Sequence, residues 1–284
     1  MIFTPEVAAE LFPFLRGKWG KLLYKPSMYI SGIRYVNRIH DAVEKQGIAP
    51  GPDFAKGILD QMKLEFLIGN PEGLAFPEGP FITISNHVYG HIDGICLVDI
   101  VGHVRSRMKV MVNEMLMPIW GLAPNFIAVN PTVNKRETTS TSVGGIRSAL
   151  MQLREGEPLS LFPSGAVADL KPREGWTLQE RPWQEAALKL IRKAKVPVVP
   201  IRFFDHNSWF YYALGLIDYR LRFVRLFHEV NNKQGTFPRL GIGETITVEQ
   251  QNALSDEEFG ACLRKSVYDM PLPNHFIKRS SLWQ

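Results

Sequence analysis

The sequence predicts an α/β fold with a mainly parallel central sheet flanked by helices, preceded by an N-terminal helical, membrane-associating segment. Three observations carry this. Short apolar runs of strand length recur along the chain, helix-length amphipathic stretches separate them, and no internal repeat or low-complexity segment intervenes. The 284 residues, 45% of them hydrophobic, suffice to bury one sizeable core without disulfide or metal staples. Cys96 and Cys262 are far apart in apolar contexts, which excludes a disulfide framework and suits a reducing compartment.

Residues 1–55 are set apart as an N-terminal helical segment. Val7 to Tyr24 mixes Leu11, Phe12, Phe14, Leu15, Trp19, Leu22 and Leu23 with Arg16, Lys18 and Lys21, the composition of a helix in a membrane interface. Pro13, Gly17 and Gly20 argue against one straight helix, and packing on the protein's own core is the competing reading. Residues 56–284 form the main domain. A helix is expected over Lys56 to Ile68, followed by the turn-rich stretch Gly69-Asn70-Pro71-Glu72-Gly73. Strands are expected at Phe81 to Ser85, Lys109 to Val112, Phe126 to Val129, Leu159 to Phe162, Pro197 to Phe203 and Leu240 to Thr247. Helices are expected at Ser142 to Arg154 and Trp183 to Ala194. A late helix, Ser255 to Tyr268, has Ser255 and Glu258 spaced as a capping box.

The stretch Ser85-Asn86-His87-Val88-Tyr89-Gly90-His91-Ile92-Asp93-Gly94 lies between two apolar runs. Polar residues there are costly to bury without partners, so the stretch is the first candidate for a site. His87 falls just past the carboxyl end of a strand, where open α/β sheets bind ligands. Asp93 falls near the start of the next helix, where a carboxylate is stabilised. Their spacing places them on different faces of a regular helix, so pairing requires a loop, which Gly90 permits. Paired in this way, the carboxylate fixes the imidazole tautomer and leaves the second nitrogen free as a general base. Three alternatives compete: a metal site from His87, His91 and Asp93, a nucleophilic Ser164 served by His87, and a merely structural His87. No second acidic or histidine cluster accompanies the first alternative, and no metal is expected.

Asn86-His87 with Asp93 resembles the histidine–aspartate motif of the glycerolipid acyltransferases, which include the bacterial 1-acylglycerol-3-phosphate acyltransferases. Gly121-Leu122-Ala123-Pro124-Asn125-Phe126-Ile127 resembles the second block of that family. Leu161-Phe162-Pro163-Ser164-Gly165 resembles its Phe-Pro-Glu-Gly block, and Val196-Pro197-Val198-Val199-Pro200 its apolar fourth block. Five residues separate His87 from Asp93 where the family usually has four. That longer form is similar to a hemolysin-like bacterial branch that includes O-acyltransferases completing ornithine and related aminoacyl lipids. Arg181-Pro182-Trp183, Asn207-Ser208-Trp209-Phe210 and Asp218-Tyr219-Arg220-Leu221-Arg222 also resemble that branch.

The resemblance implies that residues 56–284 are an acyltransferase domain. It would move a fatty acyl group from an acyl carrier protein or coenzyme A thioester, with no cofactor, onto the hydroxyl of a lysolipid. His87 and Asp93 would be catalytic, and Asn86, Asn125, Phe162, Pro163, Ser164, Gly165 and Asn207 substrate-binding, with backbone amides around Ser164 and Gly165 stabilising the oxyanion. The arginines that phosphate-accepting members carry in the second and third blocks are absent in register, so acyl transfer is expected while the acceptor head group, phosphate or amino-acid lipid, stays open. Lys135, Arg136, Lys171 and Arg173 lie nearby in sequence and are read as a solvated surface.

The formal net charge of +5 suits an acidic carrier or an anionic membrane surface. Without a recognisable motif, nucleic-acid binding is set aside. No run long enough for a spanning helix and no secretory signal is found, so peripheral attachment to the cytoplasmic side of the inner membrane is expected. A non-catalytic lipid-binding protein on the same fold and an acyl thioester hydrolase remain the alternatives.

Overall fold

The computed structural model describes residues 26, 28–130 and 140–283. The chain enters through helices α1 (Ile33–Lys45) and α2 (Pro52–Gln61), then forms β1 (Leu67–Gly69), β2 (Ile82–Ser85) and α3 (His91–Gly102). Strands β3 (Lys109–Asn113) and β4 (Phe126–Val129) precede α4 (Ser140–Arg154), and β5 (Leu159–Leu161) leads into a hairpin of β6 (Asp169–Lys171) and β7 (Thr177–Gln179). Helix α5 (Glu185–Ala194), β8 (Val198–Phe203), α6 (Trp209–Ile217) and α7 (Tyr219–Asn232) follow. Then come β9 (Arg239–Ile242), α8 (Val248–Asn252), α9 (Asp256–Tyr268) and β10 (Phe276–Lys278).

Eight strands form one sheet in the order β10-β1-β9-β8-β2-β5-β3-β4, with β6 and β7 apart as a two-stranded ribbon. From β8 to β4 every neighbouring pair is parallel, while β9 runs antiparallel to β8 and β10 antiparallel to β1. The central strands are buried on both faces, as a parallel sheet covered by helices requires. Alternation along β2 and β8 sorts their side chains. Ile82, Ile84 and Val198 pack with α4, α5 and α9 on one face, and Val199, Ile201 and Phe203 with α1, α2, α3 and α7 on the other. The result is a three-layer sandwich.

Several elements lie elsewhere than the sequence suggests. The boundary expected at residue 55 falls inside α2, and Ile33, Val36, Ile39 and Val43 of α1 belong to the same core as the sheet. Helix α2 starts earlier than expected, and Leu67 and Ile68 form a strand instead of a helix end. The strand expected over Leu240 to Thr247 ends at Ile242, and Thr247 caps α8. Val7 to Tyr24, Lys135 and Arg136 lie outside the described residues. Among those described, no helix is long and apolar enough to cross a membrane. Ser255 and Glu258 do form the capping box of α9.

A buried ion-pair cluster ties the end of the chain to its middle. Arg279, with Asp99 of α3 and Asp60 of α2, is paired by its guanidinium, its Nη1 lying 3.0 Å from the Asp99 carboxylate. Its backbone N–H also donates to Phe66 O at 2.8 Å.

Candidate active site

Because β2, β5, β3 and β4 run parallel, their carboxyl ends open at one edge of the sheet, and so does that of β8. The loops leaving β2, β5 and β8 carry His87, Phe162 and Asn207 to that edge. Asp93 enters from the first turn of α3, and its position follows from a tight turn. Gly90, the N-cap, has φ 83°, and a Cβ there would stand 3.0 Å from the Leu226 side chain. The turn folds the backbone amides of Val88, Tyr89 and Gly90 back onto Asp93 Oδ2, at 2.9, 2.9 and 3.1 Å. His87 Nδ1 lies 2.9 Å from the same oxygen. An ionised carboxylate only accepts, so Nδ1 carries the proton and donates, and Nε2 keeps its lone pair. The carboxylate is fully buried, yet amides and the α3 N-terminus stabilise its charge.

The main chain around His87 is held on all sides. Its N–H donates to the Glu180 carboxylate, and its carbonyl accepts from Ala168 N at 3.1 Å. Asn207 Nδ2 donates to Val88 O at 3.0 Å, and Asn86 exchanges two hydrogen bonds with the Phe203 backbone, at 2.8 and 2.7 Å. The imidazole itself packs on the Phe162 ring, with centroids 4.3 Å apart.

His87 opens on a cavity of about 270 Å³ whose wall is mostly apolar, from Met111, Ile146, Leu161, Phe162, Ala187 and Leu226. His91 also reaches it, stacked on Phe227, and burial together with the nearby His87 lowers its pKa to about 4, so it is neutral near pH 7. Among the described residues, Arg222 is the one Arg or Lys side chain on this wall. Its guanidinium is occupied: Nη1 binds the Asp169 carboxylate and Ala168 O, and Nη2 donates to Val167 O at 2.9 Å. The rings of Tyr211 and Tyr219 flank it.

The expected site residues divide into two groups. His87, Phe162, Pro163 and Gly165 line the cavity, and Asp93 stands behind His87. Asn86, Asn125, Ser164 and Asn207, expected to bind substrate, do not line it. Asn86 and Asn207 brace the His87 loop. Asn125 donates from the second block to the backbone of Ser106 and Met108, and Ser164 donates to Ala166 O at 3.0 Å. Ser164 is almost fully buried and is not presented as a nucleophile. The Gly165 amide closes a turn on Phe162 O at 2.9 Å, so it is not a free oxyanion donor. Lys171 and Arg173 do not line the cavity either. Among the described residues, no three His, Cys, Asp or Glu side chains are grouped to hold a metal ion.

Sequence reasoning missed two residues. Glu180 braces His87 from the end of β7. Gln184 lines the cavity, and its carboxamide nitrogen occupies the space where a Cβ on Gly165 would lie, 2.1 Å from that position. Both flank the Arg181-Pro182-Trp183 stretch singled out from the sequence, but nothing in that stretch signals which chain segment they approach.

A family model described as acyltransferase matches residues 66–275. The chain belongs to the acyltransferase family. Among curated relatives, the lyso-glycine lipid O-acyltransferase of Bacteroides thetaiotaomicron is 26% identical over 189 residues, covering 66% of this chain and 65% of the relative. The chain thus spans just under two thirds of that relative's length. A lyso-glycine lipid O-acyltransferase of Phocaeicola vulgatus is 28% identical over 256 residues, covering 84% of this acyltransferase and 85% of the relative. The crystal structure of the 1-acyl-sn-glycerophosphate acyltransferase of Thermotoga maritima superposes with a TM-score of 0.49 at 16% identity, covering 88% of this chain and 86% of that one.

Proposed function

We propose that this acyltransferase moves a fatty acyl group from a thioester, on acyl carrier protein or coenzyme A, to the hydroxyl of a lysolipid with an amino-acid head group. The observation that carries the reading is the His87–Asp93 pair opening on an apolar cavity. Nε2 of His87 takes the proton from the acceptor hydroxyl as its oxygen attacks the thioester carbonyl. Asp93 stabilises the imidazolium that results. Collapse of the tetrahedral intermediate breaks the carbon–sulfur bond, and the thiolate recovers the proton from the imidazolium. The products are an ester and a free thiol, and no covalent enzyme intermediate is required.

Two observations support an amino-acid head group over a phosphate. The guanidinium of Arg222 is already matched by Asp169, and a phosphate dianion calls for unpaired cationic donors. The two curated relatives are named for lyso-glycine lipid. On this reading the protein works at the cytoplasmic face of the inner membrane, where its lipid substrates lie.

The test is product analysis by mass spectrometry. Purified protein receives acyl carrier protein or coenzyme A thioesters together with lyso-glycine lipid, lyso-ornithine lipid or lysophosphatidic acid. A diacyl product from an amino-acid lysolipid, lost in His87→Ala, is expected. Preference for lysophosphatidic acid would overturn the head-group assignment, and free fatty acid as the sole product would replace acyl transfer by hydrolysis.

A further inference from the structure

Helix α6, WFYYALGLI, bears no charged side chain. Tyr211 and Tyr212 turn inward and are almost completely buried against Val167, Leu170 and Leu226. The outward positions are Trp209, Phe210, Ala213, Leu216 and Ile217, all exposed, with Ile217 at 76% and Trp209 at 56%. The spacing i, i+1, i+4, i+7, i+8 is one continuous helix face, so the face that an ordinary surface helix gives to charged residues is here entirely apolar. Beyond exposed Asp218, exposed Tyr219 and Leu221 continue it at the start of α7. A contiguous apolar surface of this kind marks a contact with something else.

We propose that this face of α6 and the start of α7 docks the protein on the surface of a bilayer. The inference rests on the lysolipid reading above. Tyr211, Tyr219 and Phe223 of the same two helices line the catalytic cavity, so the face adjoins the cavity that a membrane lipid must enter. Its composition is that of an interfacial helix: Trp209 and Phe210 at one end, aliphatic side chains at the other. Two cations sit on its aromatic rim, Arg225 over the Phe210 ring at 5.1 Å and Arg181 over the Tyr219 ring at 5.6 Å. Both arginines also lie beside carboxylates, Arg225 by Glu229 and Arg181 by Asp169, so the apolar and aromatic side chains carry the docking.

The test is co-sedimentation of the full chain with vesicles of phosphatidylethanolamine and phosphatidylglycerol, without acyl donor. Ile217→Glu should lower the vesicle partition coefficient by about tenfold or more, from the loss of one buried aliphatic side chain alone. Leu216→Ser, a milder change, should lower it less. Both variants should keep the wild-type circular dichroism, and the wild-type rate on lysolipid dispersed in detergent, because neither residue lines the cavity. Wild-type binding by Ile217→Glu, or no vesicle binding by the unaltered protein, would overturn the docking face. A change in oligomeric mass with vesicle binding intact would overturn it too, assigning the face to a second copy of the chain. Normal vesicle binding by a protein that acylates no lysolipid would refute the function and leave the docking face standing.

Discussion

The carboxylate of Glu180 accepts the backbone N–H of His87 across 93 residues of chain. Ser164, beside it, stands where the Phe-Pro-Glu-Gly block of the resembled family carries glutamate. Burial raises the Glu180 carboxyl above the usual range, against the opposing pull of the Ser164 hydroxyl, the His87 amide and the Tyr268 hydroxyl. Glu180 is therefore a positioning residue for the His87 loop.

Glu180→Gln retains a carbonyl oxygen for the His87 amide and should preserve both fold and most of the activity. Glu180→Ala leaves that buried amide without a partner, at a cost of about 1–3 kcal/mol. Urea denaturation should show the difference between the two variants. The activity of Glu180→Ala should fall through kcat more than through KM, because the residue acts through His87 and does not line the cavity.

His87→Ala should reduce kcat by about 10²–10⁴ with little change in thermal midpoint. Asp93→Asn should lose a comparable factor, since a carboxamide does not hold the imidazole tautomer as a carboxylate does. Asp93→Ala should in addition destabilise the fold by more than the roughly 1–3 kcal/mol of one orphaned amide, because three buried amides ahead of α3 lose their acceptor. Parallel kinetics and thermal melts of the three variants separate these effects.

Acid should destabilise the protein through two buried imidazoles. Burial lowers the pKa of His40 to about 3 and of His91 to about 4, against an ordinary value of 6.5. Below pH 6.5 the unfolded chain takes up protons that the folded chain refuses, so this contribution to stability is present above 6.5 and lost as pH falls towards those values. Each group contributes at most about 1.4 kcal/mol per pH unit in that window. Replacing His40 by Phe, next to the Phe54 ring it already packs on, should flatten the slope of urea stability between pH 6.5 and 4.

Narrowing the cavity should shorten the acyl chain accepted. Ala187 and Ile146 line it on the α5 and α4 side. Ala187→Trp and Ile146→Trp should each shift the preference towards shorter thioesters, at about fourfold per methylene group excluded. Competition between acyl donors of different length, read by mass spectrometry, reports that shift.

The α/β alternation, the capping box of α9 and the His87–Asp93 pairing were legible because each is written in adjacent residues. Strand β1 was not. Met62, Leu64, Phe66 and Ile68 are buried, with Lys63, Glu65 and Leu67 more exposed between them, a period of two that a short apolar stretch hides after a helix. Polar residues near a motif signal a site but not their direction: Asn86, Asn125 and Asn207 hold backbone, where the motifs suggested substrate contact. Glu180 and Gln184 were invisible because their partners lie in remote segments that only the folded sheet brings together.

The Arg279 cluster couples a segment remote in sequence to the helix that carries Asp93. Helix α3, which carries Asp93, leaves the ribosome with Asp99 some 180 residues before its cationic partner is made. Without Arg279 the fully buried Asp99 carboxylate keeps, among the described residues, only His103, 3.1 Å away, and breaking a buried ion pair costs about 3–5 kcal/mol. Removing β10 and Arg279 would therefore act on helix α3, and through it on Asp93, from a segment remote in sequence.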